Sequence, residues 1–308
     1  MLNKVVIFGV GLIGGSFARS LKKAGAVGSV VGMGRSAASL KRAQELGIID
    51  VIGVADAGGG GCTMAEALEG ADLVLLAAPV AQTEPILAAI APHLQPGTVV
   101  TDAGSTKSDV VASARRALGG KIAQFVPGHP IAGRETNGPE AAIDDLYVGK
   151  KVVLTALDEN AEADVERVAA AWRACDAIIH RLTPQEHDKV FAAVSHLPHL
   201  LAYALVDDIA NKPHADLLFQ YAASGFRDFT RIAGSSPEMW RDISLANQSA
   251  LLTELDSYLA QLTGLRARLA AGDGAGLESV YNNAQRARHQ WITAIEAAEA
   301  PPSQANDV

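Results

Sequence analysis

Val5-Val6-Ile7-Phe8-Gly9-Val10-Gly11-Leu12-Ile13-Gly14-Gly15-Ser16 decides how this chain is read. The opening apolar run is rich in β-branched residues and reads as a buried strand. Gly9, Gly11 and Gly14 follow at G-x-G-x-x-G spacing, and Ile13, Phe17 and Leu21 then recur every fourth residue, a helix period. Strand, glycine turn and helix together are the context a dinucleotide fingerprint requires. Gly9 permits the tight turn, Gly11 lets the backbone approach a pyrophosphate, and Gly14 lets the helix pack on the strand. The helix N-terminus, with Leu12 and Ile13 at its start, offers N–H groups to the phosphates.

A second strand is expected over Ser29 to Gly32. The residue that reads the adenosine ribose lies near its end, about 20 residues past the glycines. The sequence there is Gly32-Met33-Gly34-Arg35-Ser36. It lacks the acid that accepts from a ribose 2′-OH, while Arg35 and Ser36 suit a 2′-phosphate. NADP is therefore the expected cofactor, with NAD the alternative. A helix is expected over Ala37 to Leu46, and a glycine-rich surface loop over Asp56 to Gly61. Ala71 to Val80 reads as a buried strand whose carboxyl end should border the dinucleotide with Ala78, Pro79, Val80 and Thr83.

Thr98 to Asp102 is the next strand, with Ala103-Gly104-Ser105-Thr106-Lys107 as its exit loop. Phe125 to Glu135 reads as another strand with an irregular exit. Ser105 and His129 thus leave parallel strands on the nicotinamide side. Lys151 to Leu154 and Ile178 to Arg181 read as the last strands, around a helix from Ala161 to Cys175. The fold class is α/β: a Rossmann-type doubly wound domain over 1–182, then an all-helical domain over 183–300 and a disordered tail over 301–308.

The helical part opens with Thr183-Pro184-Gln185-Glu186, a capping box with Pro at the first helical position. His196 and His199, three apart in Ser195-His196-Leu197-Pro198-His199, share a helix face, and Pro198 should kink the helix. With His187 they raise a metal site, but no matching carboxylate or cysteine set stands out, so no metal is expected. Leu252, Leu255, Leu259, Leu262 and Leu269 form an approximate heptad seam, either a bundle core or a dimer interface. A last helix is expected over Leu277 to Ala297, anchored by Tyr281 and Trp291.

The 308 residues favour about two domains. A formal net charge of −8 argues against nucleic acid and against an anionic membrane surface. Only Cys62 and Cys175 are present, which indicates a reducing compartment rather than a disulfide framework. No signal-peptide pattern opens the chain and no apolar run reaches membrane-spanning length, so a cytoplasmic protein is expected.

Several motifs occur in one order: the glycine fingerprint, Gly104 to Lys107, Gly128-His129-Pro130-Ile131-Ala132-Gly133, Ser195 to His199, and Gly225 to Ile232 followed by Met239-Trp240-Arg241-Asp242. Together they resemble the prephenate/arogenate dehydrogenase family of tyrosine biosynthesis, over nearly the whole chain. The resemblance implies a Rossmann domain, a helical dimerisation domain and oxidative decarboxylation of a cyclohexadienol. It implies that His129 accepts a hydrogen bond from the ring hydroxyl with Ser105 beside it, and that Glu135, His199 and Arg231 bind substrate. Arg134 and Arg227 receive no role. No segment is left over for a fused chorismate mutase or an ACT domain. Within the family an acidic residue at the position of Arg231 goes with arogenate, so a cation there implies prephenate. Two readings compete: a 3-hydroxyacid-type dehydrogenase, which would use a Lys of the helical domain, and a non-catalytic nucleotide sensor. The first is disfavoured by Ser195 to His199, the second by His129, Ser105 and Arg231 together.

Overall fold

The computed structural model describes residues 1–53, 61–134 and 136–299, with side chains to 295. The glycine-rich loop except Gly61, the substrate-binding role given to Glu135 and the tail over 301–308 lie outside the described residues. The chain forms two compact units, Met1–Leu251 and a second from Leu252 on.

In the first unit β1 (Leu2–Phe8) leads through the glycine turn into α1 (Leu12–Lys23), β2 (Val27–Met33), α2 (Ala37–Glu45) and β3 (Val51–Gly53). Then come α3 (Met64–Leu68), β4 (Leu73–Leu76), α4 (Thr83–Ile90), β5 (Val99–Asp102), α5 (Ser108–Leu118) and β6 (Phe125–Val126). Among the described residues these strands make one parallel sheet in the order β3-β2-β1-β4-β5-β6. This is the doubly wound, Rossmann-like arrangement, whose order reverses between β1 and β4.

Strand alternation splits the core into two layers. Val5, Ile7, Leu73, Leu75 and Val99 face Phe17, Leu21, Tyr147 and Trp172. Val6, Phe8, Val74, Leu76 and Val100 face Leu68, Leu87, Ile90, Val110 and Leu118. Both faces are apolar because helices cover both. Each such fully buried side chain contributes roughly 1.5–3 kcal/mol.

The stretch read as one strand from Phe125 is in fact two. β6 ends at Val126, and β7 (Gly128–Pro130) joins a second sheet, β7-β8-β9, with β8 (Lys151–Leu154) and β9 (Ile178–Arg181). His129 therefore does not leave a parallel strand; it lies within β7, antiparallel to β8 and opposite Val153. Pro127 explains the break, since it has no N–H for the ladder. Gly128 then gives its N–H to the Asp102 side chain instead. β4 is also shorter than the apolar run that announced it, because its exit bends at Pro79 into a short 3₁₀ turn.

α6 (Glu162–Arg173) precedes β9, after which the chain is helical: α7 (Pro184–Phe191), α8 (Leu197–Ala210), α9 (Ala215–Gln220), α10 (Ser224–Thr230), α11 (Pro237–Ala246), α12 (Gln248–Ala270) and α13 (Gly274–Glu299). Residue 183, where the sequence changes character, lies inside the first compact unit. The Thr183–Glu186 capping box is formed in both directions. A π-helical turn, Ala192–His196, joins α7 to α8 immediately before Pro198, so the proline is absorbed by a wide turn and the helix continues.

That continuity corrects one expectation. Pro184–Ala210 is a 27-residue helix with a window of mean hydropathy 1.3, long and apolar enough by length and composition to cross a membrane. The sequence reading had found no apolar run of membrane-spanning length. The buried His187, Asp188 and His196 of this helix bond to other parts of the first unit, while only 28% of the apolar window is buried within the chain. In the second unit Leu259, Leu262 and Leu269 of the α12 seam are exposed in the single chain, as Leu252 is. Tyr281 and Trp291 of α13 are each 60% exposed.

Candidate active site

The cradle for a dinucleotide is built from backbone. Gly9 adopts φ +94°, and a Cβ there would stand 2.5 Å from the Ala77 carbonyl oxygen. A Cβ on Gly14 would stand 2.2 Å from the Gly9 oxygen and 2.8 Å from Ile7 Cγ2. Both glycines are thus required by packing. Gly11 is different: a Cβ there meets nothing within 4 Å, so its side faces open space. α1 begins at Leu12 with no side-chain cap and no acid in its first turn. Its first N–H groups and positive dipole end are available to an anion. Leu12 is buried, and the Ile13 carbonyl accepts from Tyr147 Oη at 2.6 Å. These features fit a bound pyrophosphate.

The other residues expected at the cofactor lie at the carboxyl ends of neighbouring strands. Arg35 follows β2 and is exposed; Ser36 caps α2, its Oγ accepting from Ser39 N at 3.2 Å. Ala78, Pro79 and Val80 follow β4, and Thr83 is buried at the start of α4.

A second arrangement, built from side chains, begins at the end of β5. Asp102 is buried and accepts from Gly128 N at 3.0 Å, from Gly104 N at 2.9 Å and from Lys107 Nζ. One carboxylate thereby ties the loop carrying Ser105 to the strand carrying His129. Lys107 is itself fully buried, and its main-chain N–H donates to Asp188 Oδ1 at 2.8 Å. Ser108 N donates to Asp188 Oδ2 at 2.8 Å, so the Asp188 carboxylate sits on the N-terminus of α5. Asp188 Oδ1 also faces His187 Nδ1 at 2.9 Å, and His187 Nε2 faces His129 Nδ1 at 2.8 Å. Phe191 packs against both imidazoles, with centroids 4.9 and 4.5 Å away.

The chain of contacts continues along the helix. Asn247 Nδ2 donates to the Asp188 carbonyl at 2.8 Å and to His196 Nδ1 at 3.1 Å. His196 packs edge-on against Trp240, and His199 stacks on the same indole at 3.5 Å. His199 Nδ1 donates to the Ser195 carbonyl at 2.8 Å. His187 and His196 are nine residues apart, about half a revolution in an unbroken α-helix. The wide π turn between them reduces that angle, and both rings border the same buried Asp188–Asn247 contact.

The electrostatics keep these imidazoles neutral near pH 7. Burial pushes His129 well below its ordinary value, and His187, Lys107 and His196 act in the same direction. Burial lowers His187 despite its bond to Asp188. Burial, with His187 adding to it, brings His196 down to about 4. Burial lowers His199, and Arg231 adds to the effect while the bond to Ser195 opposes it. Burial opposes ionisation of Asp188, but the hydrogen bonds from His187, Ser108 and Lys107 outweigh it and hold the carboxyl at about 2.

The structure thus brings together His129, the Ser105 loop, His199 and, through its field on His199, Arg231. Ser105 is half-buried on the β5 exit loop, and its carbonyl favours the charged form of His196. Arg231 is exposed at the end of α10. Sequence reasoning missed Asp102, Asp188 and Asn247, assigned nothing to Lys107 and Trp240 although it quoted their motifs, and weighed His187 only for metal. Among the described residues no group of three His, Cys, Asp or Glu side chains forms a metal-binding set. Chemically, the arrangement offers a neutral base held by a hydrogen-bonded chain, on a second sheet that Asp102 ties to the end of β5.

Comparison with known proteins divides the chain near residue 182. Residues 17–181 match the prephenate dehydrogenase nucleotide-binding domain, and residues 183–282 match the prephenate dehydrogenase dimerization domain. The cyclohexadienyl dehydrogenase of Zymomonas mobilis is 35% identical, over 94% of this chain and 96% of that protein. The prephenate dehydrogenase of Bacillus subtilis is 33% identical, over 92% of this chain and 75% of that protein. Prephenate dehydrogenase from A. aeolicus, solved with hydroxyphenyl propionate and NAD+, superposes with a TM-score of 0.86 at 35% identity, covering 94% of this chain and 98% of that one. Synechocystis arogenate dehydrogenase gives a TM-score of 0.77 at 28% identity, covering 94% and 99%.

Proposed function

The chain belongs to the prephenate dehydrogenase family of NAD(P)-dependent dehydrogenases, and from that premise we propose that it converts prephenate to 4-hydroxyphenylpyruvate by oxidative decarboxylation. The observation that carries the reading is a neutral, hydrogen-bonded His129 in the first unit, beside the carboxyl ends of β5 and β6.

The nicotinamide dinucleotide, when bound, supplies the hydride acceptor. His129 takes the proton of the ring hydroxyl as the hydrogen on the same carbon departs as hydride, so a carbonyl forms. Cleavage of the bond to the ring carboxylate releases carbon dioxide, and its electron pair passes through the ring to that oxygen. The oxygen then recovers the proton from His129 as a phenol. Aromatisation makes the sequence effectively irreversible. A base that is neutral at pH 7 is what the first proton transfer needs. Ser105, on the loop tied to His129 through Asp102, completes the hydroxyl site. His199 and Arg231 hold the substrate's anionic groups, Arg231 as a planar bidentate donor. Glu135 belongs to the same proposed substrate set.

Substrate choice rests on Arg231. Prephenate ends in a keto acid and arogenate in an amino acid. A guanidinium attracts a carboxylate and repels an ammonium, which favours prephenate. NADP is the proposed cofactor, because the β2 exit offers Arg35 and Ser36 and no acid. We assign cofactor binding to residues 1–182, and substrate binding and homodimer formation to residues 183–300. The exposed α12 leucines and the match to a dimerization domain support the dimer. A cytoplasmic location suits the two free cysteines. The test is a matrix of kcat/KM values, prephenate and arogenate against NAD and NADP. Highest efficiency with prephenate and NADP is expected. A ratio favouring arogenate would overturn the substrate assignment and leave the family standing.

A further inference from the structure

We infer that His187 and Asp188 are positioning residues that fix the tautomer of His129, leaving its Nε2 bare toward the substrate and its Nδ1 protonated. The inference rests on the reading of His129 as the base and specifies which nitrogen does the work.

The argument runs along the hydrogen bonds. Asp188 receives the main-chain N–H groups of Lys107 and Ser108, one on each oxygen. Both oxygens therefore act as acceptors, and the group is a carboxylate. A ring nitrogen 2.9 Å from a carboxylate oxygen must carry hydrogen, so His187 Nδ1 is the donor. Two states remain for His187. As an imidazolium it would donate to His129 Nδ1 and force hydrogen onto His129 Nε2. As a neutral ring it accepts at Nε2, and His129 Nδ1 must donate.

The placement of Asp188 selects the neutral state. Its charge lies on the N-terminus of the 11-residue helix α5, which carries roughly half a positive elementary charge. That dipole end and two N–H groups already compensate the carboxylate. The neighbouring ionised groups, Asp102 and Lys107, compensate each other in their own buried ion pair. His187 is fully buried, and charging it would add an uncompensated cation beside Lys107. The groups that act on His129 agree: His187 from α7, Lys107 from the β5 exit and His196 from the π turn, and among the described residues the ring's hydrogen bond is the contact of Nδ1 with His187 Nε2. Burial also lowers the His187 pKa.

In the reaction the substrate O–H bond breaks and an N–H bond forms at His129 Nε2. No second proton moves. The imidazolium keeps its Nδ1–H on His187 Nε2, and Asp188 stays ionised two hydrogen bonds away. The relay thus holds ring orientation and tautomer before the reaction and stabilises the buried cation during it, the logic by which a carboxylate serves the histidine of a hydrolase triad.

The decisive measurement is ¹⁵N NMR of the histidine-labelled full-length protein at pH 7.5, with the His129 signals identified by their loss in His129→Asn. A protonated Nδ1 and bare Nε2 are expected; a protonated Nε2 would overturn the inference. Two variants supply the kinetic arm. Gln can donate its amide N–H to Asp188 and accept from His129 with its oxygen, whereas Leu can do neither. His187→Leu is expected to lower kcat at least about tenfold and to move the acidic limb of the kcat profile to lower pH. KM and cofactor affinity should stay within about twofold, and His187→Gln should recover most of the loss. A folded His187→Leu enzyme with wild-type kcat and pH profile would overturn the inference. So would equal losses in two folded variants. If His187→Leu fails to fold, the wild-type spectrum decides alone. An active His129→Asn enzyme would instead remove His129 as base, a failure distinguishable from that of the relay.

Discussion

The dinucleotide cradle and the histidine chain lie in the same compact unit and are made of opposite materials. The cradle is backbone: Gly9 and Gly14 are there because a Cβ would strike main-chain atoms at 2.5 and 2.2 Å. The histidine chain is side chain: His129 meets His187 across a sequence gap of 58 residues, and the Asp188 carboxylate meets the main chain of Lys107 across 81. A backbone site is fixed by sterics and tolerates almost no substitution at its tight glycines. A side-chain site is fixed by hydrogen-bond polarity, so a replacement with the same donors and acceptors can stand in. The two halves should therefore fail differently when altered, one in stability and cofactor affinity, the other in kcat and its pH dependence.

The largest effect belongs to the side-chain half. His129→Asn should lower kcat by roughly a hundredfold or more, the scale of a lost general base, while the cofactor Kd measured by fluorescence stays unchanged. In the wild type kcat should fall as pH drops, because protonated His129 cannot accept the hydroxyl proton. Burial places its pKa well below 6.5, so that acidic limb should lie below pH 6.5. A limb at or above 6.5 would break the account of a desolvated base.

The same difference in materials explains what the sequence disclosed. The cradle was legible because its determinants are contiguous: a β-branched strand, glycines at fixed spacing, then a helix period. The capping box at Thr183 was legible for the same reason. Asp102 was not legible, because an Asp at a strand end has no local signature of the three donors it collects from Gly104, Lys107 and Gly128. Asp188 has no local signature either; only tertiary packing places it on the N-terminus of α5. Pro127 was visible, yet its effect was not, because moving His129 into a second sheet depends on where β8 lies. His129 and His199 were singled out from the residues and the family resemblance, whereas the contact of His187 with His129 is visible only in the hydrogen bonds themselves.

Arg231 sharpens the comparison from the substrate side. A charge-assisted bond to a carboxylate contributes about 1.5–3 kcal/mol, so Arg231→Ala should raise the prephenate KM about tenfold to a hundredfold. The cradle, lying elsewhere, should keep its cofactor KM. Initial rates over a prephenate titration at saturating cofactor check this. An unchanged KM would assign the carboxylate to other groups.

Within the cradle, two glycines separate fold from binding. Gly14→Ala forces a Cβ into the Gly9 carbonyl and should cost roughly 1–3 kcal/mol of stability as an overpacking substitution. Thermal unfolding of the apo protein reads this directly. Gly11→Ala meets no protein atom, so the melting temperature should hold while cofactor Kd rises, because the added methyl occupies the approach of the pyrophosphate. Equal Kd for wild type and Gly11→Ala would place the phosphates away from this turn.

The smallest effect is at Arg35, and it tests whether a side chain tunes a site that backbone creates. Arg35 is exposed, so its attraction to a 2′-phosphate is screened and worth about 1 kcal/mol rather than the several of a buried pair. Arg35→Ala should therefore raise the NADP KM by about fivefold and leave the NAD KM unchanged. The ratio should shrink further as salt rises, since the Debye length falls from about 10 Å at 0.1 M to about 3 Å at 1 M. Ser36 should behave differently. Its Oγ already caps α2 through Ser39 N, so Ser36→Ala should lower stability by about 1 kcal/mol in addition to any change in cofactor choice. If wild-type kcat/KM is higher with NAD than with NADP, Arg35 is a solvated surface charge. The absence of an acid after β2 would then have no bearing on the cofactor, and the selectivity would have to come from the backbone cradle itself.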